Sequence, residues 1–328
     1  MAEPLNATFF ALRKRERGGV LLGAAIAYTV ALFVAFLVFG TIAFFLIGGG
    51  DFLSWYAETI SAASSGVASD RPPPDFGGIM LMIPVQFLLI AALFILFAAF
   101  HSSAVRWMLR GETSAPFNLC FGADMWRAYG TYWAWLLYVI VGWLGFFLTT
   151  LVGGVLAGNI DVVGPLMMFA LCVFYFFAWF YVTIRLSPAV ATSIGLGEFA
   201  PLKAWAVTRG RFWALFGAYL LLAILYMLVS LIVTAVLFGA VYGQAFAGLD
   251  WSTMATDPEG FAVAYERAAL GAMQSMFASP LMIALYIGGQ LVSLAISAFF
   301  NVMWFGVESR AVQAALEEGK IEPAPADA

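Results

Sequence analysis

Six stretches of this chain are apolar for about twenty residues or more, and that fixes the class of fold before any motif is considered. They run at about 19–48, 78–100, 128–157, 163–186, 211–243 and 279–307, and about 20 residues of helix already cross the hydrocarbon of a bilayer. The composition agrees: 63% of residues are hydrophobic, 10% are charged and the mean hydropathy is +0.95. A soluble domain averages about 45–50% apolar and about 25% charged, and no aqueous fold could hide this much apolar surface. The expected fold is an all-α integral membrane protein with six transmembrane helices, one polytopic domain over residues 1–328 with a flexible tail at 323–328.

The first segment follows the basic cluster Arg13, Lys14, Arg15 and Arg17. A cleaved signal peptide has an apolar region of about 7–15 residues; here it runs to about thirty, so the segment is expected to be a retained helix. Six spans put both termini on one side. That side holds the cluster together with Arg106, Arg110, Arg127, Arg185, Lys203, Arg209, Arg211, Arg310 and Lys320, leaving Arg71 and Arg267 of the 15 Lys and Arg for the other. The positive-inside rule then predicts cytoplasmic termini. The opposite loops are acidic, with Asp51, Glu58, Asp70, Asp75, Asp161, Asp250, Asp257, Glu259 and Glu266.

One cytoplasmic phrase is written three times. "SSAVRWMLRGETSAP" (102–116), "SPAVATSIGLGEFAP" (187–201) and "SRAVQAALEEGKIEP" (309–323) each begin with Ser, carry Ala third and Val fourth, and close on Pro. The first, fourth and eighth positions have helical spacing, so each even-numbered helix is predicted to continue past the bilayer as an amphipathic extension. Gly111, Gly197 and Gly319 suit a left-handed helix stop. "PFNLCF" (116–121) echoes "PLNATF" (4–9), and "GTYWA" (130–134) echoes "GRFWA" (210–214). The predicted plan is three parallel hairpin repeats, at about 4–115, 116–200 and 201–322, related by an axis along the membrane normal.

The exit "RLSPAV" (185–190) followed by "APLKAWAVTRGRFWALFG" (200–217) resembles a bacterial inner-membrane family labelled the glycerophosphoryl diester phosphodiesterase membrane domain, with its uncharacterised six-helix relatives. The resemblance implies a six-helix module of the bacterial inner (cytoplasmic) membrane. The phosphodiesterase label belongs to a separate soluble catalytic domain of some members. That domain needs acidic residues, histidines and a barrel of strands that this chain does not supply, so the label is not carried over as an activity.

Chemistry-bearing residues are sparse. No Asp, Glu, Lys or Arg falls well inside a predicted span, which argues against a proton-coupled pump and against acid–base catalysis within the membrane. Cys120 and Cys172 are separated in topology, so neither a disulfide nor a metal set is expected. No catalytic residue, metal, cofactor or nucleic-acid partner is expected. Gln86, Gln290 and Asn301 are candidates for a polar path; the alternative is ordinary bonding between helices, worth about 0.6 kcal/mol each. Arg185, Arg209 and Arg211 are candidates for an anionic lipid head group, or simple anchors beside Trp205 and Trp213. The single histidine, His101, reads as a solvated or hydrogen-bonded interfacial residue. In the last outer loop Asp257 can cap a helix begun by Pro258. Its apolar stripe (Phe261, Tyr265, Ala268, Ala272, Met276) could lie on the membrane, cover the bundle or dock a partner.

Two functions follow. One is non-enzymatic transport or handling of a lipid-like or amphiphilic molecule; the other is a non-catalytic scaffold or regulatory subunit of an envelope complex. The expected partners are membrane lipids and other membrane proteins. Reporter fusions at residues 110 and 200 are expected to report the same side as both termini, and fusions at 160 and 250 the opposite side. A fusion at 110 or 200 on the far side contradicts the topology.

Overall fold

The computed structural model of the chain describes residues 7–13, 19–46, 48–49, 51, 54–55, 58–59, 62, 77–113, 117–159 and 163–322. Lys14, Arg15, Arg17, the "RPPPDF" loop (71–76), Pro4, Pro116, Pro323 and the 323–328 tail lie outside the described residues. Among the described residues all regular structure is helical: α1 (Phe10–Arg13), α2 (Gly19–Leu46), α3 (Gly77–Arg110), α4 (Ala123–Asn159), α5 (Val163–Leu186), α6 (Ala189–Leu196), α7 (Ala204–Val207), α8 (Phe212–Ala247), α9 (Thr253–Thr256), α10 (Pro258–Ala278) and α11 (Pro280–Glu317). Among the described residues six helices are long and apolar enough to cross a membrane: α2, α3, α4, α5 continued by α6, α8 and α11. The chain is therefore a polytopic membrane protein.

The chain divides into two compact units, one of Met1–Tyr28, Phe94–Ile224 and Phe299–Ala328, the other of Thr29–Leu93 and Leu225–Ala298. In the first unit α4 and α5 pair as a hairpin in which glycines admit aromatic rings. A Cβ on Gly142 would sit 2.6 Å from the Trp179 ring, and one on Gly145 2.8 Å from the Tyr175 hydroxyl. The Tyr175 hydroxyl donates to the Gly142 carbonyl, and that of Tyr138 to the Trp179 carbonyl at 3.0 Å. Buried polar groups in an apolar medium need such partners.

The three phrases of the sequence end in the same way. Gly111, Gly197 and Gly319 have φ of 71°, 74° and 65°, the left-handed region open to glycine. At the second and third, the glycine N–H reaches three residues back (to Ile194 and Leu316) and the next N–H five back (Glu198 to Ser193, Lys320 to Ala315), the paired bonds of a Schellman stop. At the first, Gly111 N–H bonds the Trp107 carbonyl at 3.0 Å. The middle phrase differs in one respect: α5 stops at Leu186 and α6 restarts at Ala189. Pro188 has no N–H and its ring crowds the preceding turn; Ser103 and Arg310 stand in its place in the other two phrases, where α3 and α11 run through unbroken.

These helix ends pack on one another. A Cβ on Gly195 would meet Val312 Cγ1 at 2.8 Å and Leu109 Cδ1 at 3.4 Å, so all three phrases touch at one point. Val105, Val190 and Val312 are all buried there. Arginines tie the ends together through main-chain carbonyls. Arg110 donates to Ile194 O, and Arg211 donates to Ala311 O and Ala314 O at 3.1 Å each while pairing with Glu318. Hydrogen bonds from Lys320 and then Arg211 hold the Glu318 carboxyl down at about 2.

In the second unit, Asp257 caps α10 by accepting the Gly260 N–H at 3.0 Å, with Pro258 in the first turn, as its sequence predicts. Tyr265 stacks on Phe246 at the end of α8 (centroids 4.9 Å), Phe261 contacts Trp251, and Ala272 is buried. That side of α10 therefore packs against the end of α8. The Met276 side chain lies outside the described residues.

Gly319→Ala is expected to lower stability by about 1–2 kcal/mol, because nothing crowds the site and only the left-handed backbone is strained. Gly154→Ala, equally open but inside α4, is expected to gain up to about 1 kcal/mol. Thermal unfolding in detergent reads both, and a stabilised Gly319→Ala contradicts the assigned stop.

Candidate functional site

The residue just before each phrase is His101, Leu186 or Glu308. The packing of the helix ends brings the first and last of these together. His101, on α3, is 3% exposed and Glu308, on α11, is 7% exposed. Their Nε2 and Oε2 atoms lie 3.1 Å apart but off the line of a hydrogen bond. On its other side, Nδ1 is 2.6 Å from the Tyr132 hydroxyl of α4. The two ring nitrogens thus face a hydroxyl on one side and a carboxylate on the other. The imidazole lies flat on Phe305, centroids 3.7 Å apart and planes 12° apart.

Tyr132, His101 and Glu308 stand at the edge of a cavity of about 440 Å³. Trp135, Trp304, Phe97 and Phe305 give it aromatic walls, while Thr183, Ser187 and Asn301 add hydroxyls and an amide. It is an apolar recess with a few converging polar groups, the usual form of a small-molecule site. A buried carboxylate in such a recess costs several kcal/mol unless a positive or donating partner meets it.

The sequence-derived candidates separate. Asn301 lines the cavity. Gln86 lies in a shallow groove of about 330 Å³ in the second unit, with Met82, Ile83, Phe87 and Ile90, and Gln290 is exposed on α11 away from that lining. Arg185 is buried and turned onto main chain, its guanidinium donating to Thr208 O at 2.8 Å and Trp205 O at 3.1 Å and lying 4.5 Å over the Trp205 ring. Thr208 returns the bond through Oγ1 to Arg185 O at 3.0 Å. Arg211 is engaged at the end of α11, as described above, and Arg209 is exposed, its carbonyl accepting from Lys320.

A second charged cluster lies among the helix ends. Buried Asp124 faces Arg106 at 3.4 Å, Arg110 at 3.2 Å and Arg127. Arg106 also reaches Glu112 and, at 3.3 Å, Cys120 Sγ. Burial pushes the Cys120 thiol up, but hydrogen bonds from the Gly122 N–H, Arg106 and Ser102 outweigh it and leave the thiol below its ordinary value. This cluster is internally paired and ties α3 to α4. Among the described residues no group of three or more His, Cys, Asp or Glu could hold a metal ion.

Sequence reading missed Glu308 and Tyr132. A sixth span ended at 307 leaves Glu308 just outside, whereas α11 runs on to Glu317 with Glu308 buried. The available signal was positional, since Glu308 and His101 precede matching serines. Compared with protein-family models, with curated proteins and with solved structures, the chain finds no match in any of the three.

Tyr132→Phe removes the one hydroxyl facing Nδ1 and is expected to cost about 1–3 kcal/mol of stability. A melting temperature equal to that of the parent contradicts the bond.

Proposed function

We propose that this protein binds, and by holding or transporting handles, a lipid-like or amphiphilic molecule in the membrane without chemically altering it. The observation that carries the reading is the aromatic-walled cavity of about 440 Å³ ending in the buried Tyr132–His101–Glu308 cluster. An apolar wall suits a hydrocarbon portion, and the polar cluster suits a head group. The position of the cavity supports the same reading, because its walls come from four of the spanning segments, α3, α4, α5 with α6, and α11. A molecule lying there would bridge elements that are far apart in sequence.

With this reading goes the larger plan proposed for the chain: three parallel hairpin units, near 4–115, 116–200 and 201–322, with both termini on the cytoplasmic side of a bacterial inner membrane. The shared left-handed stops and the contact of Gly195 with Val312 and Leu109 support it. So does the concentration of Lys and Arg in the connections assigned to that side.

The test is to extract the protein with its surrounding lipid and identify co-purifying molecules by mass spectrometry. The expected result is one amphiphile class enriched several-fold over bulk lipid and depleted in Asn301→Trp, which fills the cavity. A lipid profile matching bulk membrane in both proteins overturns the reading and leaves the scaffold role.

A further inference from the structure

We infer that the cavity selects a cationic head group, a protonated amine or quaternary ammonium, with the rest of the molecule along the aromatic walls; this rests on the amphiphile reading above. Of the residues lining the cavity, Glu308 is the one acid, and neither Lys nor Arg is among them. Its Oε2 is buried with no hydrogen-bond partner, and so is the facing His101 Nε2. The His101 ring, whose Nδ1 is 2.6 Å from the Tyr132 hydroxyl, turns Nε2 towards that carboxylate at 3.1 Å but off the line of a hydrogen bond. The arginines that could have answered that charge are committed elsewhere: Arg185 to the carbonyls of Trp205 and Thr208, Arg211 to those of Ala311 and Ala314.

The walls point the same way. Aromatic faces attract cations through the ring quadrupole, by about 2 kcal/mol or more when the cation is desolvated, and aromatic cages are a recurrent answer to quaternary ammonium. Phe97, Tyr132, Trp135 and Trp304 line the same cavity as Glu308. A phosphate or sulfate would meet this carboxylate with no lining cation to offset the repulsion. A neutral amphiphile would leave the carboxylate unanswered. A cation answers it and uses the rings as well.

The probes are decyltrimethylammonium, decanol and decyl sulfate, which share one chain length and differ in charge. Each is titrated calorimetrically into the full-length protein in micelles of a non-ionic maltoside. The cationic probe is expected to bind at least ten-fold more tightly than either of the others. Glu308→Gln is expected to bring its affinity down to that of decanol. Trp135→Leu, at the wall rather than in the buried cluster, is expected to weaken the cation several-fold more than decanol, which keeps the test open if Glu308→Gln does not fold. Equal binding of cation and decanol overturns the inference, as does preference for the sulfate or an undiminished cation preference in Glu308→Gln. If decanol binds and the cation is not preferred, the head-group inference alone falls; if no probe binds, the amphiphile reading falls with it.

Discussion

The ends of helices are the costly places in an apolar medium. The last turn of a helix leaves carbonyls without partners, and where such a group is buried without one it costs about 1–3 kcal/mol. This chain answers that constraint by gathering the ends of α3, α6 and α11 against one another in the first unit. Left-handed glycines turn the chain back on its own carbonyls, and Arg110, Arg185 and Arg211 reach across to carbonyls of neighbouring segments. Arginine suits the task because its planar fork can serve two acceptors at once while its stem lies on apolar surface. Of the three guanidinium groups that sequence reading offers to lipid or leaves as anchors, Arg185 and Arg211 are thus used as internal ties, while Arg209 is exposed.

The candidate site is a consequence of that gathering. Once the three phrases meet, the residues preceding the first and the last, His101 and Glu308, are brought together, and both are ionisable. His101 and Glu308 are buried because Ser102, Val105, Ser309 and Val312 beside them must be. The proline that breaks the middle phrase after Leu186 leaves Ser187 and Val190 at the edge of the opening rather than inside a continuous helix. A recess with polar groups on one side and rings on the others follows from the way the helix ends meet.

Much of the fold could be read from the sequence because long apolar runs and glycine–proline punctuation are local signals. The six spans, the left-handed glycines at 111, 197 and 319, and the Asp257–Pro258 start of α10 all depend on neighbours in the chain. The site was far less legible. His101, Tyr132 and Glu308 lie on three different helices, and no spacing within a helix shows that they meet. Gln86 and Gln290 stood out because they are polar in apolar surroundings, yet polarity alone does not say which face of a helix a residue occupies. Asn301 lines the cavity for the same reason that Trp304 and Glu308 do, since residues three and seven positions on share its face of α11.

The account rests on the meeting of the three helix ends, and a single cysteine pair tests it most directly. In a chain with Cys120→Ser and Cys172→Ala, the pair Gly195→Cys and Val312→Cys is introduced and oxidised in isolated membranes. The account predicts a rapid intramolecular disulfide, because a Cβ at 195 already lies against the side chain of residue 312. A pair that stays reduced under conditions that oxidise a nearby control pair between α4 and α5, Gly142→Cys with Trp179→Cys, would contradict it.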